Sequence, residues 1–226
     1  MTSEWLRSVP PAKEEDCVLL PPVGDSADLL DRTLALCLYP YAQHPLRQLL
    51  DIVRQISYDK RMELLKTYAW ERKTRRDRPG RALECGYPLT FDIQADFGAY
   101  RDLQRHRMLS QERQLLHPGL GYEIEEELEW IGMREKAEEC FLRSADLYDK
   151  MTQRLGPDLA QYAVLFGYKI RWMMGMNFRE AMHLIELRTT PQGHPSYRHI
   201  CQRMMDAVKK QHPELAATIR FADYIL

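Results

Sequence analysis

Apolar residues recur along most of this chain at three- and four-residue spacing, the period of an amphipathic helix. Residues 27–39 carry such a pattern, and it stops at Pro40. A second helix is expected from Pro45, with Leu46, Leu49, Leu50 and Val53 on one face. Proline suits a first helical turn, where its missing N–H is not needed. A third helix is expected over about 59–72, with Met62, Leu65 and Ala69 aligned. The period changes at Tyr87–Ile93, where the residues alternate as in a half-buried strand. Residues 97–108 return to a helical pattern, Gly119–Gly121 make a turn, and an acidic stretch over 123–130 opens another helical region. A long helix over 133–154 would bury Ala137, Cys140, Phe141, Ser144, Ala145 and Tyr148, and Gly156-Pro157 ends it. The apolar, Met-rich stretch 162–176 holds a strand at 167–174, and helices follow at 177–187 and 195–211. Residues 1–26 carry Pro10, Pro11, Pro21, Pro22 and Gly24 among acidic residues, so they read as an irregular leader to one domain over 27–226. Helices dominate with a few strands between them, which makes the class α+β.

A length of 226 residues allows one substantial domain. The net charge of −1 gives no overall field toward nucleic acid or membrane. Residues 72–81 depart from that balance with six basic side chains ending in a Pro79-Gly80 turn, and read as a basic surface loop. No nucleic-acid-binding motif accompanies them, so no nucleic-acid partner is expected. The five cysteines, at 17, 37, 85, 140 and 201, are odd in number and form no C-x-x-C pair. That excludes a zinc ribbon and a disulfide framework and fits reduced thiols in a cytoplasmic protein. The first residues lack an apolar signal core, and the longest apolar runs are too short to span a bilayer.

Phosphate-cradling glycine motifs and a G-x-S-x-G elbow are absent, so any flavin here is not held by a Rossmann turn. His183, Glu186, His194 and His199 match no metal-ligand spacing, and no metal is expected. The remaining chemistry is cationic. Arg105-His106-Arg107 would converge on a polyanion if its helix stopped there, since arginine forks match phosphate oxygens; by itself the triplet also fits a solvated surface. Asn177 is a good N-cap for the next helix. Arg179 then places a cation where the helix dipole disfavours it, which is relieved by a bound anion. Arg188 closes the same helix, where a cation is favourable without any ligand.

Taken together and in order, these pieces resemble the flavin-dependent thymidylate synthase family over about residues 34–215. The anchors are Arg105-His106-Arg107-Met-Leu-Ser110, similar to the family's R-H-R-x-x-S, then Asn177-Phe-Arg179 and Leu187-Arg188, with the Leu89-Thr90-Phe91 strand ahead of them. The resemblance implies a central, mostly antiparallel sheet flanked by helices, and a homotetramer with FAD at a subunit interface. It implies methylation of dUMP or a related pyrimidine nucleotide, with methylenetetrahydrofolate as carbon donor and NADPH reducing the flavin. FAD contacts are implied at Arg105, His106, Arg107, Asn177 and Arg179, and substrate contacts at Arg188, Asp102, Ser110, Glu112 and Arg113. No residue is implied as a nucleophile.

The chain departs from the pattern after Ser110, where Glu112, Leu115 and His117 stand in place of the family's Asn, Ser and Arg. That Ser and Arg help to hold the dUMP phosphate. Leucine donates no hydrogen bond, and histidine is only partly charged at neutral pH. A late A-Q-x-E-I-R element is replaced by Gly193-His194-Pro195-Ser196-Tyr197-Arg198. These departures leave two further readings open: a flavoprotein of the same fold with another substrate, and a non-catalytic partner subunit of an active homologue. The overall pattern is similar to a divergent branch often built as two fused domains, of which this would be one copy.

Overall fold

The computed structural model describes residues 9–12, 16–20, 26–69, 82, 89–212, 216, 219 and 221–224. The basic loop expected over 72–81 lies outside the described residues. Four strands, β1 (Cys17–Leu20), β2 (Leu89–Asp96), β3 (Ser110–Arg113) and β4 (Lys169–Met176), form one antiparallel sheet in the order β1-β2-β4-β3. The helices are α1 (Ser26–Leu38), α2 (Leu46–Gln55), α3 (Tyr58–Ala69), α4 (Phe97–Leu103), α5 (Glu126–Trp130), α6 (Arg134–Leu155), α7 (Pro157–Ala160), α8 (Phe178–Arg188) and α9 (Pro195–Gln211).

Both faces of the sheet are covered, and strand alternation decides which residue goes where. Phe91 and Ile93 of β2, with Trp172 and Met174 of β4, pack on one side against α4, α8 and α9. Met173 faces the opposite layer, where α1 and α2 supply Leu34, Leu38, Leu49 and Val53. Two polar residues also face that layer, and they meet. Asp92 accepts from the Tyr39 hydroxyl at 2.5 Å, the Leu46 amide at 2.8 Å and Arg171 Nη1 at 3.3 Å, while Arg171 Nη2 reaches Gln94 at 2.6 Å. Pro45 is the N-cap of α2 and offers no side-chain acceptor. The Asp92 carboxylate takes over that duty at the first free amide of the helix. Burial pushes the Asp92 carboxyl up, against the opposing pull of Arg171, Tyr39 and Leu46.

Several expectations are corrected. Within the stretch read as an irregular leader, Cys17–Leu20 pair with β2 as an edge strand. Four consecutive apolar residues show neither period, so the strand has no signature of its own. The helix expected over 97–108 ends at Leu103, which frees the next residues to turn inward. Ser110–Arg113, where the hydrophobic pattern marks no element, is the other edge strand. In α6 only Phe141 and Ser144 are buried; Cys140 is exposed, and Ala137, Ala145 and Tyr148 are half-buried. Gly156 at φ 85° ends that helix, a conformation that glycine adopts without a Cβ penalty. Among the described residues, no helix is long and apolar enough to cross a membrane.

Candidate functional site

Sheet register brings the two arginine motifs together. Ser110 pairs with Gly175, so the start of β3 lies beside the end of β4. The segment before β3 therefore meets the segment after β4. The first is Arg105-His106-Arg107, and the second is Asn177-Phe178-Arg179-Glu180. About 70 residues of sequence separation close into contact within one chain, so this convergence needs no second subunit.

His106 is the centre of the arrangement, and it is buried. Its Nδ1 lies 2.9 Å from Glu180 Oε1, and its Nε2 lies 3.1 Å from Arg188 Nε. Gln111 donates to its main-chain carbonyl at 3.0 Å and fixes the backbone there. The His183 ring sits beside it, centroids 5.6 Å apart. Burial pushes the His106 pKa down; the Glu180 hydrogen bond works against that, and Arg188 adds to it. A neutral imidazole has one N–H and one lone pair. Carboxylates only accept and guanidiniums only donate, so Nδ1–H must donate to Glu180 while Nε2 accepts from Arg188.

Arg188 is half-buried, with its guanidinium carbon 5.6 Å from the centre of the Tyr197 ring. It is thus held on one edge by His106 and supported on a face by Tyr197. Both terminal amino groups have no hydrogen-bond partner among the described residues, which leaves a fork for a ligand. Gly193 makes the Tyr197 placement possible: a Cβ there would lie 2.6 Å from the tyrosine hydroxyl oxygen. Arg198 stabilises the intervening loop by donating to the Thr189 carbonyl at 3.1 Å.

The other expected site residues divide. Arg105, Arg107 and Arg179 are exposed and make no side-chain hydrogen bond or ion pair among the described residues. Asn177 Oδ1 accepts from the Glu180 amide at 2.9 Å, so the N-cap reading describes what it does here. Asp102 is exposed at the last turn of α4. Ser110 is buried and Glu112 half-buried on β3. Arg113 Nη1 is held by the Gln114 carbonyl at 3.0 Å and Gln161 Oε1 at 2.9 Å, a tie between β3 and the turn after α7. His117, at the family's arginine position, is buried, and its Nδ1 accepts from the Gly119 amide at 3.1 Å. Burial, then Arg171, pushes its pKa down.

Glu180 and Tyr197 carried no expectation as site residues, and His183 was considered only as a metal ligand. Asn177-x-x-Glu180 has the spacing of a capping box, which suggests a carboxylate turned back on its own helix. Here the carboxylate goes to His106 instead. No group of three His, Cys, Asp or Glu that could hold a metal occurs among the described residues. Burial pushes the thiols of Cys17 and Cys201 up, away from the reactive thiolate.

The arrangement, then, is a fixed arginine fork beside a neutral histidine, with three arginines on adjoining segments that have no side-chain partner among the described residues. Residues 43–214 match the family model described as "Thymidylate synthase complementing protein". The chain belongs to that family. Similar curated proteins include the UPF0159 protein of Chlamydia muridarum, 42% identical over 197 residues, which are 87% of this chain and 37% of the relative. The UPF0159 protein Ta1429 of Thermoplasma acidophilum is 34% identical over 200 residues, 86% of this chain and 39% of the relative. The chain therefore spans under two fifths of the length of these relatives. Among solved structures, the UMP/dUMP methylase PolB from Streptomyces cacaoi, bound with 5-Br UMP, is similar at TM-score 0.48 and 18% identity, over 60% of this chain and 75% of that chain.

Proposed function

We propose that this chain is an FAD-binding, thymidylate synthase-like protein that takes a pyrimidine nucleotide and transfers a one-carbon unit to it. The observation that carries the reading is the Arg188 fork, oriented by His106 and left with both amino groups uncommitted among the described residues. Such a fork offers paired N–H groups and a fixed charge to the acidic edge of a uracil ring, and it stabilises negative charge that develops there. Arg105, Arg107 and Arg179 fit the diphosphate of FAD, being exposed, without a side-chain partner among the described residues, and close in the fold to the same histidine. Bound flavin, reduced by NADPH, would supply hydride, and methylenetetrahydrofolate the carbon. The chain's own part is orientation and electrostatics. The reading extends to a cytoplasmic homotetramer.

One observation favours a narrower reading, a flavoprotein whose substrate is not dUMP. His117 is buried and engaged with Gly119, and Leu115 offers no donor. His117 keeps one Nε2–H without a partner among the described residues, buried and uncharged, in place of the family's charged guanidinium fork, and Leu115 replaces a hydroxyl donor with none. Two lost charge-assisted bonds, at about 1.5–3 kcal/mol each, lower dUMP affinity more than a hundredfold. The test is an absorbance spectrum of the purified protein titrated with FAD, then a tritium-release assay with dUMP, methylenetetrahydrofolate and NADPH. The expected outcome is a yellow protein with weak dUMP turnover. A protein that takes up no FAD ends the first reading; robust turnover of dUMP ends the second. Light scattering checks the tetramer.

A further inference from the structure

We propose that Glu180 is a positioning residue: acting through the imidazole of His106, it sets the plane of the Arg188 guanidinium for a planar ligand with an anionic or imide edge. The naming of that ligand class rests on the function proposed above; the relay within the protein does not.

Glu180 and Arg188 lie eight residues apart on α8, about 12 Å along the axis, too far to touch directly as neighbours on one face. The imidazole spans the gap, with its two nitrogens engaged at 2.9 Å and 3.1 Å. The chemistry of the three groups permits one neutral arrangement. Glu180 can only accept, so it selects the form with hydrogen on Nδ1. That choice leaves the lone pair on Nε2, which Arg188 Nε–H requires. Moving the hydrogen to Nε2, or protonating both nitrogens, sets a donor against the Arg188 donor.

The burial of Glu180 supports the assignment. It is 9% exposed, and among the described residues its ion-pair contact is with the His106 ring and not with a lysine or arginine. Burying a carboxylate in that way costs free energy that the N-terminal helix dipole offsets only in part. The alternative local duty, accepting from the Asn177 amide, is not the one taken, since the carboxylate lies 2.9 Å from His106 Nδ1. The charged or titratable groups facing His106 are Glu180, Arg188 and His183 from α8, with Arg105 and Arg107 flanking it on its own segment; Gln111 of β3 adds an uncharged amide at its carbonyl. Glu180 is the acid in this set.

The test begins without ligand, by nitrogen NMR of histidine and arginine side chains above the titration of His106. The expected result for the unmodified protein is hydrogen on Nδ1, a bare Nε2, and a slowly exchanging Arg188 Nε–H signal that vanishes as His106 becomes protonated. Glu180→Gln keeps an acceptor and should retain that pattern, with His106 titrating at lower pH because a negative charge is gone. Glu180→Ala should lose both the tautomer and the arginine signal. In calorimetric titrations with dUMP, Glu180→Ala should bind about tenfold more weakly, the equivalent of freeing one immobilised side chain, and Glu180→Gln within about twofold. Affinity in the unmodified protein should fall as His106 protonates. Hydrogen on Nε2 in the unmodified protein, or an unchanged arginine signal in Glu180→Ala, overturns the proposal. If Glu180→Ala does not fold, the tautomer and pH response of the unmodified and Glu180→Gln proteins decide it. If dUMP binds neither the unmodified protein nor Glu180→Gln, dUMP is not the substrate, as the narrower reading expects, and the NMR arm still decides the relay.

Discussion

Two buried charge networks lie on opposite layers of this fold, and they end differently. The Asp92–Arg171 pair is enclosed, with side chains 1% and 4% exposed. Its partners belong to the framework: the Tyr39 hydroxyl, the first amide of α2 and Gln94. It ties the α1–α2 layer to the middle strands of the sheet. The Glu180–His106–Arg188 network starts in the interior and runs outward to a half-buried guanidinium whose two amino groups are uncommitted among the described residues. Both networks bury charge, and both shift a pKa. Burial of charge is therefore not the mark of a site. The mark is a chain of hydrogen bonds that orients a group and then stops short of satisfying it.

The largest effect that could break this contrast is on stability. Removing one partner of a buried ion pair strands the other charge, at about 3–5 kcal/mol. Asp92→Ala should lower the free energy of urea unfolding by that order and weaken ligand binding only through lost fold. Arg188→Ala should change unfolding by about 1 kcal/mol or less, because the guanidinium reaches solvent. Equal losses from the two substitutions would mean that both networks are framework.

The next effect is on binding. Arg188→Ala should weaken dUMP by about 1.5–3 kcal/mol, or roughly ten- to a hundredfold, the range for a charge-assisted hydrogen bond. Arg107→Ala should weaken FAD by a similar factor, read by flavin fluorescence. Neither should move the urea midpoint much. A ligand affinity unchanged by Arg188→Ala would deprive the open network of its function.

The two networks also differ in how far the sequence exposed them. The periodic pattern marks α1, α2 and α9 well, the last over the same residues 195–211. Edge strands β1 and β3 left no such trace: Cys17–Leu20 is too short and uniformly apolar to alternate, and Ser110–Arg113 is polar along its length. His106 and Arg188 stood out because their neighbours form an ordered set of motifs. Glu180 was hidden by a local duty that fits its position equally well. Asp92 looked like one polar step in an alternating strand, and its partner Arg171 lies 79 residues away. Tyr197 is on another helix from Arg188, and its contact depends on a loop whose course no spacing records.

A smaller effect concerns pH. The His106 pKa is lowered in the fold by burial, from the ordinary 6.5. A base held below its unfolded value keeps the folded state favoured above about pH 6.5 and loses that contribution as pH falls through the lowered value. The buried His117 acts in the same direction, so the total slope belongs to both. The difference in urea stability between the unmodified protein and His106→Asn, followed downward from neutral pH, isolates the first. The expected outcome is a gap that changes in favour of the variant as the pH falls. A constant gap would show that the open network is not held by a neutral imidazole.

The smallest effect tests the support under the fork. At Gly193 an added Cβ would meet Tyr197 Oη at 2.6 Å, Cε2 at 2.7 Å and Cζ at 2.9 Å, which requires movement. The loop resists it: the Gly193 amide donates to the Thr190 carbonyl at 3.0 Å, and Arg198 holds the Thr189 carbonyl. The Tyr197 ring is the part that can swing, and it carries the Arg188 guanidinium. A cation–π contact at a partly exposed place contributes about 0.5–1 kcal/mol, so Gly193→Ala should weaken nucleotide binding roughly two- to fivefold. Stability should change less, since alanine also removes about 0.4–1 kcal/mol of unfolded-chain entropy cost where the backbone tolerates it. The backbone here does, because Gly193 has no positive φ. Tyr197→Leu should give a similar loss of affinity, and the double variant no more than either alone, since both act through the same ring. Additive losses would mean that Gly193 shapes the loop by another route and that Arg188 is held by His106 without help from the tyrosine.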